Sequence, residues 1–112
     1  MNGRLGDVMC VRIALTVFMI AGLAEVARAG DAAAGRAIYV SVCSSCHGLN
    51  GIGSLEYVPS FIKCDSLNKD DATLRNSVRD GVGGRMPPWG VYLSEREIDD
   101  AIAFARTFCN RQ

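Results

Sequence analysis

The stretch Cys43-Ser44-Ser45-Cys46-His47 is the part of this 112-residue sequence on which an interpretation of the fold depends. His47 is the only histidine in the chain, and it directly follows two of the five cysteines. Thiols and imidazoles are the side chains that bind soft metals and form covalent bonds with reactive groups. The stretch therefore predicts a site that binds a metal or bonds covalently to a reactive group. The rest of the sequence indicates which kind of site it is.

Residues 1–29 have the pattern of an export signal. Arg4 and Arg12 come before the apolar run 13–24, and Ala27-Arg28-Ala29 follows it with small residues in Ala-x-Ala order. A charged leader, a short apolar run and such an ending predict a secretory signal peptide that is cleaved after Ala29. We therefore expect a signal peptide at 1–29, a mature domain at 30–112 and a periplasmic location.

Two alternatives to a cleaved signal fit the sequence less well. An uncleaved anchor would have to span roughly 30 Å of hydrocarbon, whereas a run as short as 13–24 rises only about 18 Å as a helix. A lipoprotein would carry its cysteine after the apolar run, whereas Cys10 precedes it. We expect no membrane span once the signal is removed.

The composition of residues 30–112 excludes some classes of protein. Nine basic and ten acidic residues leave this part almost neutral, so no basic stripe indicates nucleic-acid binding. A domain of this size buries a limited core and often needs a disulfide, a metal or a cofactor. Four cysteines, His47 and a single methionine, Met86, remain to provide one.

Helical patterns account for the ordered part of the mature chain. Asp31 is a candidate N-cap for a helix that runs into Cys43, with Ala34, Ile38 and Val42 at four-residue spacing. A second helix is expected to open at 69–71, with Leu74 and Val78 on one face, and to stop at Gly81.

The last helix has the strongest local signal. Ser94 and Glu97 form a capping-box pattern ahead of regularly spaced apolar residues: Ile98, Ala101, Ile102, Ala105 and Phe108. Residues 48–68 are predicted to be mostly loop, with a short helical turn around Ser60 to Lys63, and the glycines and prolines of 81–90 predict another loop. No strand pattern is found, so we expect an all-α domain.

The sequence C-x-x-C-H is typical of covalent c-type haem attachment. Two thiols form thioethers with the two vinyl groups of the porphyrin, and His47 is then held beneath the ring with a nitrogen facing the iron. A thioredoxin-like dithiol would require strands around its C-x-x-C. A zinc site with Cys64 and Cys109 would lack a second C-x-x-C, and a disulfide between Cys43 and Cys46 would leave His47 unexplained.

From about Asp31 to Cys109 the sequence resembles the small class I c-type cytochromes of bacteria. The resemblance rests on these features in order: Gly35 and Tyr39 ahead of the C-x-x-C-H, Val58-Pro59, the Gly-rich loop 81–89 with Met86-Pro87, and Leu93-Ser94-Glu95-Arg96-Glu97. It implies a cytochrome c fold, with three to five short helices around one covalently attached haem c. It also implies that the Pro59 carbonyl orients the axial histidine.

The second axial ligand of the iron is expected to be Met86. Lys63 and Lys69 are the only lysines, and both lie among polar residues that indicate exposure to solvent. Met86 lies between flexible glycines and a stiff proline pair, and the family has an axial methionine in such a loop. A His/Met haem has no open iron position, so it suits electron transfer better than binding oxygen or peroxide.

Further residues are candidates for the haem surroundings, the crossing of the terminal helices and a disulfide. Tyr57, Arg85 and Trp89 are candidates to surround the haem, although core packing explains the aromatic residues nearly as well and Arg85 is expected to be exposed. Gly35 is expected to allow close crossing of the terminal helices, near Tyr39 and Phe104; the alternative is merely a weak helix position, since an interior glycine costs about 1 kcal/mol against alanine. Cys64 and Cys109 are expected to form a disulfide in an oxidising compartment, with free thiols or an intermolecular bridge as alternatives.

These inferences predict a periplasmic one-electron carrier, not an enzyme. Its expected partners are redox proteins: a donor dehydrogenase or quinol-oxidising complex, and an acceptor oxidase or reductase. We expect a monomer that docks through the haem edge, with little dependence on salt because its charge is near zero. A cytochrome subunit bound to one dehydrogenase is the alternative, and a haem enzyme or sensor with an open iron site is a weaker one.

Overall fold

The computed structural model describes residues 29–110, which form four α-helices, a π-helical turn and two short 3-10 turns. The predicted signal peptide, apart from Ala29, lies outside the described residues. Helix α1 (Ala32–Ile38) begins after Asp31, whose carboxylate accepts hydrogen bonds from two backbone N–H groups of the first turn. The helix continues through the π-helical turn Tyr39–Cys43 into α2 (Ser44–His47), so it reaches the C-x-x-C-H as predicted.

The two later helices also begin where the capping residues predict. Helix α3 (Asp71–Asp80) is capped by Asp70 and ends at Gly81, which has the positive φ of 78° that favours glycine. Helix α4 (Glu95–Cys109) opens with the complete Ser94–Glu97 capping box. The 3-10 turns Phe61–Lys63 and Trp89–Val91 lie in the two predicted loops.

Helices α1 and α4 cross in close contact at Gly35. A Cβ at this residue would lie only 1.8 Å from the carbonyl oxygen of Asp100, so no larger residue fits between the two backbones. Of the predicted apolar positions of the first helix, Ile38 and Val42 are partly buried, whereas Ala34 is exposed and its neighbour Gly35 is buried. Helix α1 therefore faces α4 with the side that carries Gly35, where the two backbones come closest.

Two apolar clusters form the core around α4. The first joins the π-helical turn and the first 3-10 turn to the end of α4, and its buried members are Tyr39, Phe61, Leu67, Ala105 and Phe108. The second packs α3 against the start of α4 through Leu74, Ile98 and Ile102. Arg75 strengthens that second contact with two hydrogen bonds to the Asp99 carboxylate, at 2.7 and 2.9 Å.

The described part of the chain contains no β-strand, only one isolated bridge between Val82 and Met86. The all-α prediction is therefore confirmed. Among residues 29–110 no helix is both long and apolar enough to cross a membrane. The structure joins Cys64 to Cys109 in a disulfide with a Cα–Cα distance of 5.1 Å, which connects the first 3-10 turn to the last residue of α4.

Candidate haem site

Cys43, Cys46 and His47 lie on one continuous helical segment. Residues separated by three and four positions share one side of a helix, so the two thiols and the imidazole can face a common ligand. Cys43 is partly buried, Cys46 is exposed, and neither forms a disulfide. The four cysteines in the described part of the chain therefore divide into a free pair beside His47 and a bonded pair elsewhere.

The protonation state of the Cys43 thiol affects which reactions Cys43 and Cys46 can undergo. Burial raises the pKa of Cys43 to about 11, so at neutral pH this thiol keeps its proton. Zinc binding and dithiol exchange both use thiolates and are favoured where the pKa is lowered. Cys43 therefore lacks the lowered pKa that is typical of a reactive or zinc-binding thiol.

The His47 ring is oriented by a carbonyl oxygen. Its Nδ1 lies 3.3 Å from the Pro59 oxygen, to which the Nδ1–H donates, so Nε2 keeps the lone pair that a metal ligand needs. Burial lowers the pKa of His47, which favours the neutral imidazole, although the hydrogen bond to Pro59 opposes that shift. Two free thiols and a neutral imidazole with a free Nε2 are a donor set that fits haem c.

Two aromatic residues also hold this histidine. The Tyr39 hydroxyl donates to the Gly48 carbonyl at 2.8 Å, next to the His47 carbonyl at 3.4 Å, and so fixes the backbone at the end of α2. The Phe61 ring stacks on the His47 ring, with centroids 4.4 Å apart and planes 14° apart. Sequence reasoning missed Phe61, and the only available signal was an aromatic residue shortly after Pro59.

Met86 lies on a separate loop, outside any helix, as its glycine and proline neighbours predict. Its backbone exchanges hydrogen bonds with Val82, at 3.0 and 3.1 Å, which closes a tight turn over Gly83 and Gly84. Met86 is partly buried, and the two prolines that follow are exposed. Lys63 and Lys69 are both exposed, as expected from their polar neighbours.

Arg85 and Tyr57, two of the candidate haem neighbours, contact each other. The Arg85 guanidinium lies over the Tyr57 ring, 4.6 Å from its centroid, and both side chains are exposed. This contact ties the Met86 loop to the loop that carries Pro59. Trp89 instead packs near Tyr92, with ring centroids 6.2 Å apart.

Exposed apolar side chains are common on the segments around the site. The large ones in the described part are Val40, Leu49, Ile52, Leu55, Tyr57, Val82, Val91 and Tyr92. Most come from the π-helical turn, from the loop after His47 and from the Met86 loop. Such side chains suit the apolar faces and edges of a porphyrin.

Comparisons with known proteins agree on one kind of protein. The family model described as cytochrome C oxidase, cbb3-type, subunit III matches residues 30–104. The cbb3-type cytochrome c oxidase subunit FixP of Azorhizobium caulinodans is 30% identical over 118 aligned residues, which cover 95% of this chain but only 40% of that relative. Cytochrome c-554(547) of Halothiobacillus neapolitanus is 33% identical, over 70% of this chain and 98% of the relative. No solved structure matches the chain.

Proposed function

Because this chain belongs to the class I c-type cytochromes, in the family of cbb3-type cytochrome c oxidase subunit III, we propose that it is a periplasmic carrier of single electrons. Its cofactor is covalently bound haem c. When bound, the haem iron supplies a one-electron couple between its ferric and ferrous states. The chain's own residues attach the haem, orient it and control its access to water.

Cys43 and Cys46 are proposed to form the thioether bonds, and His47 to bind the iron through Nε2. The observation that carries the proposal is the free cysteine pair on the same side of the helix as His47, whose Nδ1 is held by Pro59. A hydrogen bond from Nδ1–H to a carbonyl makes the imidazole a stronger ligand and fixes its tautomer. His47 would thus hold the iron from one side, and the two cysteines would hold the porphyrin.

Met86 is proposed as the ligand on the other side. It is the only methionine after residue 29, and it lies on a loop that Arg85 connects to Tyr57, near the Pro59 segment. A thioether favours ferrous iron and raises the potential relative to a second imidazole. Tyr57, Arg85 and Trp89 are proposed to line the haem surroundings.

Export and the disulfide belong to the same proposal. The leader at 1–29 is proposed to direct the chain to the periplasm, where haem attachment and disulfide formation both take place. Among the described cysteines, a bond between Cys64 and Cys109 would leave Cys43 and Cys46 to react with haem.

Optical spectra of the purified exported protein in both oxidation states, combined with a redox titration, test this function. We expect a low-spin haem spectrum, a single one-electron transition, and haem that stays with the chain on a denaturing gel. Cys43→Ala with Cys46→Ala is expected to abolish that covalent attachment, whereas Cys64→Ser with Cys109→Ser retains it. A colourless protein, or haem lost on denaturation, contradicts the proposal.

A second candidate is a cytochrome subunit held in a larger complex, and the family match favours it. FixP is by its name a subunit of a cbb3-type oxidase, and this chain spans 40% of its length. Cytochrome c-554(547) favours the free carrier, because the alignment covers 98% of that relative. Gel filtration of a gently prepared periplasmic and membrane extract separates the two: a free carrier elutes at the size of one small domain, and a subunit elutes with a large complex.

A further inference from the structure

Phe61 contacts the His47 ring in a way that attachment and ligation do not explain. The two rings are nearly parallel, with centroids 4.4 Å apart, and Phe61 itself is buried. Such a stacked arrangement covers one face of the imidazole with a flat, rigid group. The contact therefore bears on the direction of the imidazole plane.

The hydrogen bond to Pro59 by itself holds that plane weakly. Its length of 3.3 Å lies beyond the usual N–H···O distance of about 2.9–3.0 Å, so it allows the ring some rotation. Rotation of the imidazole about the bond between Nε2 and a metal would turn its plane so that it is no longer parallel to the Phe61 ring. The stack opposes this rotation because the two rings would collide or lose contact.

The Phe61 ring needs a support, because it lies on a 3-10 turn of only three residues. On one side, its backbone N–H donates to the Gly51 carbonyl at 2.7 Å. On the other side, the turn ends at Cys64, which has a positive φ of 65° and is bonded to Cys109. Cys109 is the last residue of α4 and follows Phe108, a member of the same core cluster as Phe61.

We propose that Phe61 is a positioning residue that sets the plane of the axial imidazole of His47, and that the Cys64–Cys109 disulfide holds Phe61 in that position. The proposal rests on the proposed role of His47 as an iron ligand. On this proposal the Cys64–Cys109 disulfide helps to position the axial imidazole, in addition to its contribution to stability. The disulfide anchors one end of the Phe61 turn, and the Gly51 carbonyl anchors the other.

Proton NMR of the exported ferric holoprotein, together with its reduction potential, tests the proposal. In a ferric low-spin haem with histidine and methionine ligands, the direction of the axial imidazole plane and the orientation of the methionine together set the spread of the haem-methyl resonances. Phe61→Leu keeps an apolar side chain but removes the flat ring, and Phe61→Tyr keeps the ring. Leu74→Ala is the control, because Leu74 is also buried in the core but belongs to the second cluster, which includes neither Tyr39 nor Phe61.

Phe61→Leu is expected to change the methyl spread and to shift the equilibrium with a reference one-electron mediator by about threefold, equal to roughly 28 mV. Phe61→Tyr is expected to retain the wild-type methyl spread, and Cys64→Ser with Cys109→Ser to change it in the same direction as Phe61→Leu. Leu74→Ala is expected to lower the unfolding midpoint and leave the methyl spread unchanged.

Two results overturn the proposal: a methyl spread in Phe61→Leu equal to that of the wild type, or an equal change in Leu74→Ala. A wild-type spread in the double serine variant overturns the role of the disulfide. The wild-type protein is measured first, since a spectrum without a low-spin haem would contradict the proposed function and not the role of Phe61. If Phe61→Leu does not accumulate, Phe61→Tyr and the serine variant still decide.

Discussion

Replacing Gly35 by alanine tests the contact on which the crossing of α1 and α4 depends. A Cβ at residue 35 would lie 1.8 Å from the carbonyl oxygen of Asp100 and 2.3 Å from its carbonyl carbon. Both are backbone atoms, so no side-chain rotation relieves the collision. Since a carbon–oxygen contact normally needs about 3.3 Å, the two helices would have to separate by roughly 1.5 Å.

Two opposing effects decide the sign of the change in stability. Alanine is a better helix former than glycine by about 1 kcal/mol in a helix interior. Adding a methyl group to a packed contact costs about 1–3 kcal/mol, and the upper end applies here because the backbones themselves must move. We expect a net loss of about 2 kcal/mol, which lowers Tm by roughly 8–16 °C for a domain of this size.

Denaturant and thermal unfolding of the exported holoprotein, followed by far-ultraviolet circular dichroism, measure this loss. Ala34→Gly is the control, because Ala34 lies on the same helix but is exposed. It is expected to cost about 1 kcal/mol from helix propensity alone. A Gly35→Ala protein that is as stable as the wild type, or more stable, would refute the argument from close backbone contact.

Three further predictions follow from the same structure. Cys64→Ser with Cys109→Ser is expected to lower the free energy of unfolding by about 4 kcal/mol in the chain-entropy model, because the bond closes a long loop; an unchanged denaturation midpoint would contradict this. Met86→Ala is expected to keep the covalent haem on a denaturing gel but to lose the sulfur-to-iron charge-transfer band and to lower the potential, whereas an unchanged spectrum would exclude Met86 as a ligand. The pKa of Asp70 lies below its ordinary value because its carboxylate accepts hydrogen bonds from the hydroxyl and the backbone N–H of Thr73. This carboxylate therefore stabilises the fold above its unfolded pKa of about 3.9, and the contribution disappears as the pH falls through the lower folded pKa. Asp70→Asn removes the titrating carboxylate, so its unfolding midpoint is expected to fall less than that of the wild type between about pH 6 and pH 3. An equal fall in both proteins would show that the cap does not contribute.

The near-neutral charge of residues 30–112 predicts how association with a redox partner depends on salt. The nearly balanced charges of residues 30–112 produce little long-range steering, so association with a redox partner should depend only modestly on salt. Contact would then depend on the exposed groups near the site, among them Cys46 and the proline pair after Met86. Stopped-flow electron transfer at low and physiological ionic strength measures this dependence, and a steep decline would point to a charged docking surface instead.

The features that sequence reasoning predicted correctly are local. The caps at Asp31 and Asp70, the Ser94–Glu97 box and the stop at Gly81 all depend on contacts within about one helical turn, which neighbouring residues specify. The C-x-x-C-H motif is equally local, and it was sufficient to predict haem c. The close helix crossing at Gly35 is the exception, because this predicted contact joins α1 to the distant residue Asp100.

The features that required the tertiary structure join distant parts of the chain. The residue of α1 that packs on α4 depends on where α4 lies: Gly35 is buried there, whereas Ala34 from the local apolar pattern is exposed. The stack of Phe61 on His47 and the contact of Arg85 with Tyr57 bring together loops that have no periodicity from which a partner could be inferred. Local sequence therefore determined which helices form and which cofactor they bind, whereas the packing of loops against α4 decided how His47 is held, because that packing depends on shape and not on spacing.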